Sequence, residues 1–303
     1  MFRGKFIGHL VAFLVIVAWG ASFISTKVLM EDAALTPIEV YVYRFALAYL
    51  LLLFVTFRKI FANNLRDELQ LMMCGICAGS LFYVLENYAL CYTTTANVSL
   101  LSSLSPMITA GLMALVFRAK QGFGLILGSV IAFVGVACII FSHGEGFEIN
   151  PLGDLLSLSS SFAWAIYAVG VKRLVPLYST LFITRKLFFY GVVTALPLML
   201  IGEAPMHLLI LFSNAGYILN LLFLVIVCSI LGFVGWNFAM KALGPVSANN
   251  YIYLQPFVTM VVAFFALGEK ITLLGYIGSA LIIGGLIISD KLKVNRRLHH
   301  LRK

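Results

Sequence analysis

The chain has 303 residues, of which 62% are apolar and only 11% charged, and its mean hydropathy is +1.03. So little charge excludes water as the main solvent for a fold of this length, and the lack of period-two apolar alternation excludes a barrel of membrane strands. The net charge of +9 does not point to nucleic acid, because the basic residues are spread through short connections and the C-terminal tail instead of forming one basic face.

Long apolar stretches recur, each about the length needed to cross roughly 30 Å of hydrocarbon. They predict an all-α integral membrane protein with ten transmembrane helices at 7–28, 40–57, 69–92, 97–117, 122–141, 155–171, 180–201, 216–240, 249–267 and 273–289. Arg3 and Lys5 ahead of the first span resemble the start of a signal peptide, but Ile7 to Val28 is longer than an h-region and lacks a small-x-small cleavage site. All five cysteines fall within apolar runs, where they read as small hydrophobes. The Cys74-x-x-Cys77 pair has no second pair or nearby histidine, so neither a metal site nor a cofactor is expected.

In chain order, the first span carries Trp19 near its middle, and the second carries Arg44 close to its outer end. The third places Tyr83, Glu86 and Asn87 on one face by helical spacing. A carboxylate in a membrane span costs about 3 kcal/mol on insertion scales, so Glu86 needs a partner, a proton or water. Glu86 and Arg44 both lie roughly 8 to 9 Å below the outer surface at 1.5 Å per residue. Equal depth predicts a structural ion pair Arg44–Glu86, with a substrate ligand or a proton-coupling acid as the competing readings of Glu86.

In the fourth span Ser99 and Ser103 share a face with Pro106, and in the ninth Asn249 and Tyr253 share one with Pro256. Proline at mid-depth is tolerated where the freed carbonyl faces protein or a cavity, which makes both prolines candidate hinges at a central site. The sixth span carries Trp164 and Tyr167, and the eighth Trp236 and Asn237. Trp19 and Trp164 lie too deep for an interfacial belt, so with Tyr167, Trp236 and Tyr253 they read as an aromatic wall for apolar or cationic substrates. The alternatives are helix packing for the aromatics and helix patching for the serines and asparagines. Arg185 and Lys186, near the end of the seventh span, are expected to snorkel to headgroups. Glycines line the fifth span (Gly124, Gly128, Gly135) and the tenth (Gly275, Gly278, Gly284, Gly285). They read as close helix packing or as a homodimer interface through the fifth and tenth spans.

If the N-terminus is cytoplasmic, eighteen of the 21 Lys and Arg fall on the inner side, including six in the tail, and only Lys27 and Lys270 lie outside. The asymmetry places both termini in the cytoplasm, in a bacterial inner membrane, with the basic tail against anionic lipid. The chain also repeats itself. Gly8, Trp19 and Lys27 match Gly153, Trp164 and Lys172, Asn87 matches Asn237, and Pro106, Gly128 and Gly135 match Pro256, Gly278 and Gly285. Five spans per half make the repeats inverted, as halves 1–141 and 155–290 with an outer loop 142–154 between them and a tail 291–303.

AWGASFISTK in the first span, FAWAIYAVGVKR in the sixth and LQPFVTMVVAFFALGEKITLLGYIGSALIIGGLIIS near the end resemble the two EamA domains of the drug/metabolite transporter superfamily. The resemblance covers nearly the whole chain. It implies a basket of ten helices, a central cavity between spans 1–4 and 6–9, peripheral fifth and tenth spans, and export of amino acids or other metabolites. One departure is that Gly268-Glu269-Lys270 after the ninth span is answered by Arg118-Ala119-Lys120 in the first half. There is no P-loop or soluble domain for a nucleotide-driven pump, and no converging acids, bases or histidines for an enzyme. The expected function is a secondary transporter of a small-molecule substrate by alternating access, with a passive channel or a membrane enzyme as the alternatives.

Overall fold

A computed structural model describes residues 2–93, 95–142, 150–201, 207–267 and 271–300. Every regular element among them is helical, and eight helices are long and apolar enough to cross a membrane. The acids of the expected outer connections, Glu145, Glu148 and Glu203, and the Gly268-Glu269-Lys270 motif lie outside the described residues.

The first helix, α1 (Phe2–Glu31), is followed by α2 (Pro37–Thr56), which starts at a capping box. The Thr36 amide donates to Glu39 Oε2 at 2.8 Å, the Glu39 amide donates back to Thr36 Oγ1, and Pro37 occupies the first turn. Asn64 caps α3 (Leu65–Ile76), which passes through a π turn at Cys77–Leu81 into α4 (Phe82–Tyr92). Within that turn a β-carbon on Gly79 would lie 2.6 Å from the Tyr41 hydroxyl and 3.0 Å from Gly191, so only glycine permits the close approach.

The next span is broken into α5 (Thr95–Ser102) and α6 (Ser105–Phe117). Pro106 removes the amide that would bond the Ser102 carbonyl, and the Ser105 hydroxyl donates there instead at 2.9 Å. After α7 (Phe123–Phe141), α8 (Pro151–Leu174) begins four residues ahead of the expected start at 155. The Asn150 side chain accepts from the Gly153 amide at 3.1 Å and Pro151 takes the first turn, so a stretch that reads as loop is a helix start.

Beyond α9 (Thr180–Ile201) and a 3₁₀ segment at Leu208–Ser213, α10 (Ala215–Phe223) runs through a π stretch at Leu224–Leu231 into α11 (Gly232–Leu243). The following span is α12 (Pro245–Asn249), a 3₁₀ turn at Asn250–Leu254 and α13 (Gln255–Leu267). The 3₁₀ turn lets the Gln255 amide reach the Ile252 carbonyl that Pro256 leaves free. Last, α14 (Leu273–His300) runs past the expected end at Ser289, so most of the predicted tail is helical.

Glycine sets two kinds of crossing. A β-carbon on Gly135 would meet the Gly278 carbonyl at 2.6 Å, one on Gly278 would meet the Gly135 carbonyl at 2.6 Å, and Gly128 faces Gly285 in the same way. Gly128, Gly135, Gly278 and Gly285 of α7 and α14 thus pack on one another inside one chain, as the close-packing reading expects. Gly8 of α1 packs on Ala242 and Leu243 at the end of α11, and Gly153 of α8 packs on Thr93 at the end of α4.

The expectation that Arg185 and Lys186 snorkel is also corrected, since both are buried. Arg185 donates to the Thr56 carbonyl at 2.8 Å and to the Lys59 and Ile60 carbonyls at 2.5 and 3.0 Å, closing the end of α2. Lys186 pairs with Glu68, which also accepts from the Tyr190 hydroxyl at 2.5 Å and the Ala62 amide at 2.7 Å. Arg173 and Tyr178 converge on Asp67 at 3.1 and 2.7 Å. Carbonyls at and beyond the end of α2 and the Glu68 carboxylate of α3 supply the bonds that headgroups would otherwise make.

Candidate functional site

Helical phasing brings the three tryptophans of the chain together from α1, α8 and α11. Ring centroids are 5.1 Å apart for Trp19 and Trp236, 5.8 Å for Trp19 and Trp164, and 6.3 Å for Trp164 and Trp236. Phe233 closes on Trp19 at 5.4 Å, Phe82 on Trp164 at 5.6 Å, and Phe45 on Phe233 at 5.8 Å. Tilted and edge-on contacts of this kind suit the ring quadrupoles. Rings therefore fill the middle of the bundle where the sequence reading expects a cavity.

Buried amides fix the rings. The Trp164 indole donates to Asn249 Oδ1 at 3.3 Å, and Asn249 Nδ2 donates to Thr109 Oγ1 at 2.7 Å. Tyr167 donates to Asn237 Oδ1 at 3.1 Å, and Asn237 Nδ2 donates to Thr184 Oγ1 and to the Phe233 carbonyl at 3.1 and 2.9 Å. Each asparagine is fully buried with both ends of its amide used, so each orients a ring. The Trp19 indole donates to the Cys228 carbonyl inside the second π stretch at 2.9 Å. Trp236 differs, since its indole N–H is sealed from solvent with no acceptor among the described residues. Such a donor costs about 1–3 kcal/mol.

The predicted ion pair Arg44–Glu86 does not form. Arg44 Nε donates to Ser229 Oγ at 2.6 Å and its guanidinium lies 4.9 Å over the Phe45 ring, with no carboxylate within 4.0 Å among the described residues. Glu86 is half-buried, its Oε1 3.5 Å from Ser102 Oγ. α2 turns Arg44 towards Ser229 in the second π stretch, and α4 turns Glu86 towards Ser102 of α5. An arginine or an aspartate at the centre of a membrane helix costs roughly 2.5–3.5 kcal/mol on insertion scales, so two unjoined opposite charges are an expensive arrangement.

Other expected residues divide. Tyr83 joins the cluster through Phe45 and Phe82 at 5.7 and 5.2 Å, and Asn87 is half-buried beside Glu86. Ser99 is exposed, Ser103 is buried and donates to its own Leu100 carbonyl, and Tyr253 is fully buried without a ring contact to the tryptophans. For the two serines the expected face is wrong, because the break at 103–104 rephases the helix and turns Ser102 towards Glu86. Pro106 and Pro256 both lie at backbone breaks. The sequence reading missed Phe45, Phe82, Ser102, Ser229 and Phe233. For Phe82 a signal exists: it sits 150 residues before Gly232, the residue that packs on Trp19, while Phe82 packs on Trp164. No group of three His, Cys, Asp or Glu that could hold a metal occurs among the described residues.

The EamA-like transporter family matches residues 6–141 and 151–289. An uncharacterized transporter of Archaeoglobus fulgidus is 30% identical over 93% of this chain and 96% of its own. A protein of Streptantibioticus cattleyicolor named "Probable terminal-alkyne amino-acid exporter" is 28% identical over 77% of this chain and 76% of its own. An Escherichia coli protein named "Probable amino-acid metabolite efflux pump" is 24% identical over 92% and 93%. A solved crystal structure superposes over 98% of each chain with a TM-score of 0.78 at 17% identity, which shows a shared fold.

Proposed function

The chain belongs to the EamA-like transporter family, and from that premise we propose that it is a secondary transporter exporting amino acids or similar small metabolites by alternating access of a central midplane site. In this reading ten spans form two inverted five-helix halves, 1–141 and 155–290, in a bacterial inner membrane with both termini cytoplasmic. The observation that carries it is the reciprocal glycine contact, Gly128 on Gly285 and Gly135 on Gly278. An offset of 150 residues turns each contact into the other. That exchange is what a two-fold axis in the membrane plane produces, and two equivalent halves can swap conformations around a fixed centre.

Three further features support the reading. A π turn interrupts the third span of each half, at Cys77–Leu81 and Leu224–Leu231, and both border the tryptophan cluster through Phe82 and Gly232. Pro106 and Pro256 sit at backbone breaks that suit hinges. Two relatives carry names of amino-acid export.

Counterflow of labelled L-phenylalanine into proteoliposomes holding the purified full chain tests the proposal. Saturable exchange is expected. Flux that rises without saturation identifies a channel, and chemical conversion without flux identifies an enzyme; either result overturns the proposal.

A further inference from the structure

Arg44 and Glu86 both border Tyr83, yet they do not touch each other. The Tyr83 ring lies 5.7 Å from that of Phe45, over which the Arg44 guanidinium sits, and Glu86 follows Tyr83 by one turn of α4. Arg44 commits only Nε, to Ser229; its two Nη groups have no protein acceptor among the described residues and are not sealed from solvent. Glu86 likewise keeps one carboxylate oxygen open, since only Oε1 approaches Ser102.

We propose that Arg44 and Glu86 form a zwitterion subsite, in which the guanidinium takes the carboxylate and Glu86 takes the ammonium of one α-amino acid. The inference rests on the transporter reading above and assigns residues to it. Ser229 holds the guanidinium plane through Nε and leaves the Nη pair as a fork, the geometry that binds a carboxylate through two parallel hydrogen bonds. A ligand with only one of the two charges leaves one protein charge uncompensated, so selection is built against amines and against acids. The rings of Phe45 and Tyr83, 5.7 Å apart, border the two charged groups and give the subsite an apolar flank.

The test compares counterflow of L-phenylalanine, L-phenylalaninamide, which lacks the carboxylate, and N-acetyl-L-phenylalanine, which lacks the ammonium. The intact chain is expected to favour the zwitterion over both analogues. Arg44→Gln is expected to raise the KM for phenylalanine at least tenfold and to cut discrimination against the amide by a similar factor. Glu86→Gln does the same for the N-acetyl compound. Arg44→Lys keeps the charge without the fork, so its KM rises while discrimination against the amide stays; it serves where Arg44→Gln fails to elute as a single species. Unchanged discrimination in Arg44→Gln and Glu86→Gln, or a KM for Arg44→Lys equal to that of the intact chain, overturns the subsite alone. Absence of any amino-acid counterflow by the intact chain overturns the transporter reading beneath it.

Discussion

The indole nitrogen of Trp19 lies 2.9 Å from the carbonyl oxygen of Cys228, joining α1 of the first half to the π stretch of the second. Gly232 makes room for it, because a β-carbon there would fall 2.7 Å from that nitrogen. Gly232→Ala is therefore expected to displace the indole and to slow counterflow at least about tenfold, or roughly 1.4 kcal/mol. A shift in tryptophan fluorescence should accompany the loss. Gly111→Ala, where nothing lies within 4 Å, is the matched control and keeps both rate and spectrum.

Substitution in the α7–α14 seam acts on stability. Gly135→Leu drives a side chain into the Gly278 backbone and is expected to cost about 2–4 kcal/mol, read as a lower midpoint in thermal unfolding in detergent. Gly284→Ala on the open side of α14 stays within about 0.5 kcal/mol of the unchanged chain.

The Glu68–Lys186 pair is nearly closed to solvent, with side-chain exposures of 16% and 6%. Glu68→Gln leaves a buried ammonium without its counter-charge, and the expected cost is about 3–5 kcal/mol. Replacing both partners, as Glu68→Gln with Lys186→Met, removes the stranded charge, keeps an acceptor for the Tyr190 hydroxyl and the Ala62 amide, and is expected to recover most of that loss. Unfolding midpoints of the single and double variants form the cycle that checks it.

Asn249 links Trp164 to Thr109 across three helices. Asn249→Ala leaves the Trp164 N–H without its acceptor in a buried place, so about 1–3 kcal/mol of stability should be lost. With the ring no longer oriented, counterflow KM for phenylalanine should rise as well, which separates this site from a purely structural asparagine.

Much of the architecture is legible in residue order alone. Apolar length requires membrane-spanning helices, and the matched glycines at 128 and 135, and at 278 and 285, announce an internal repeat before any contact is seen. Trp19 and Trp164 also stand out, because mid-span position is countable along the chain, and they meet Trp236 in the structure. What the sequence hid is local backbone phase. A π turn and a break ahead of Pro106 each rotate the residues beyond them, so spacing counted from Pro106 named Ser99 and Ser103 where the structure turns Ser102 towards Glu86.

The sequence by itself thus determined the solvent, the repeat and the family, because these depend on composition and residue order. Only the tertiary structure decided which way each group turns. Nothing in linear order reveals that Arg44 turns to Ser229 and Glu86 to Ser102, since direction around an axis is set by how neighbouring helices pack.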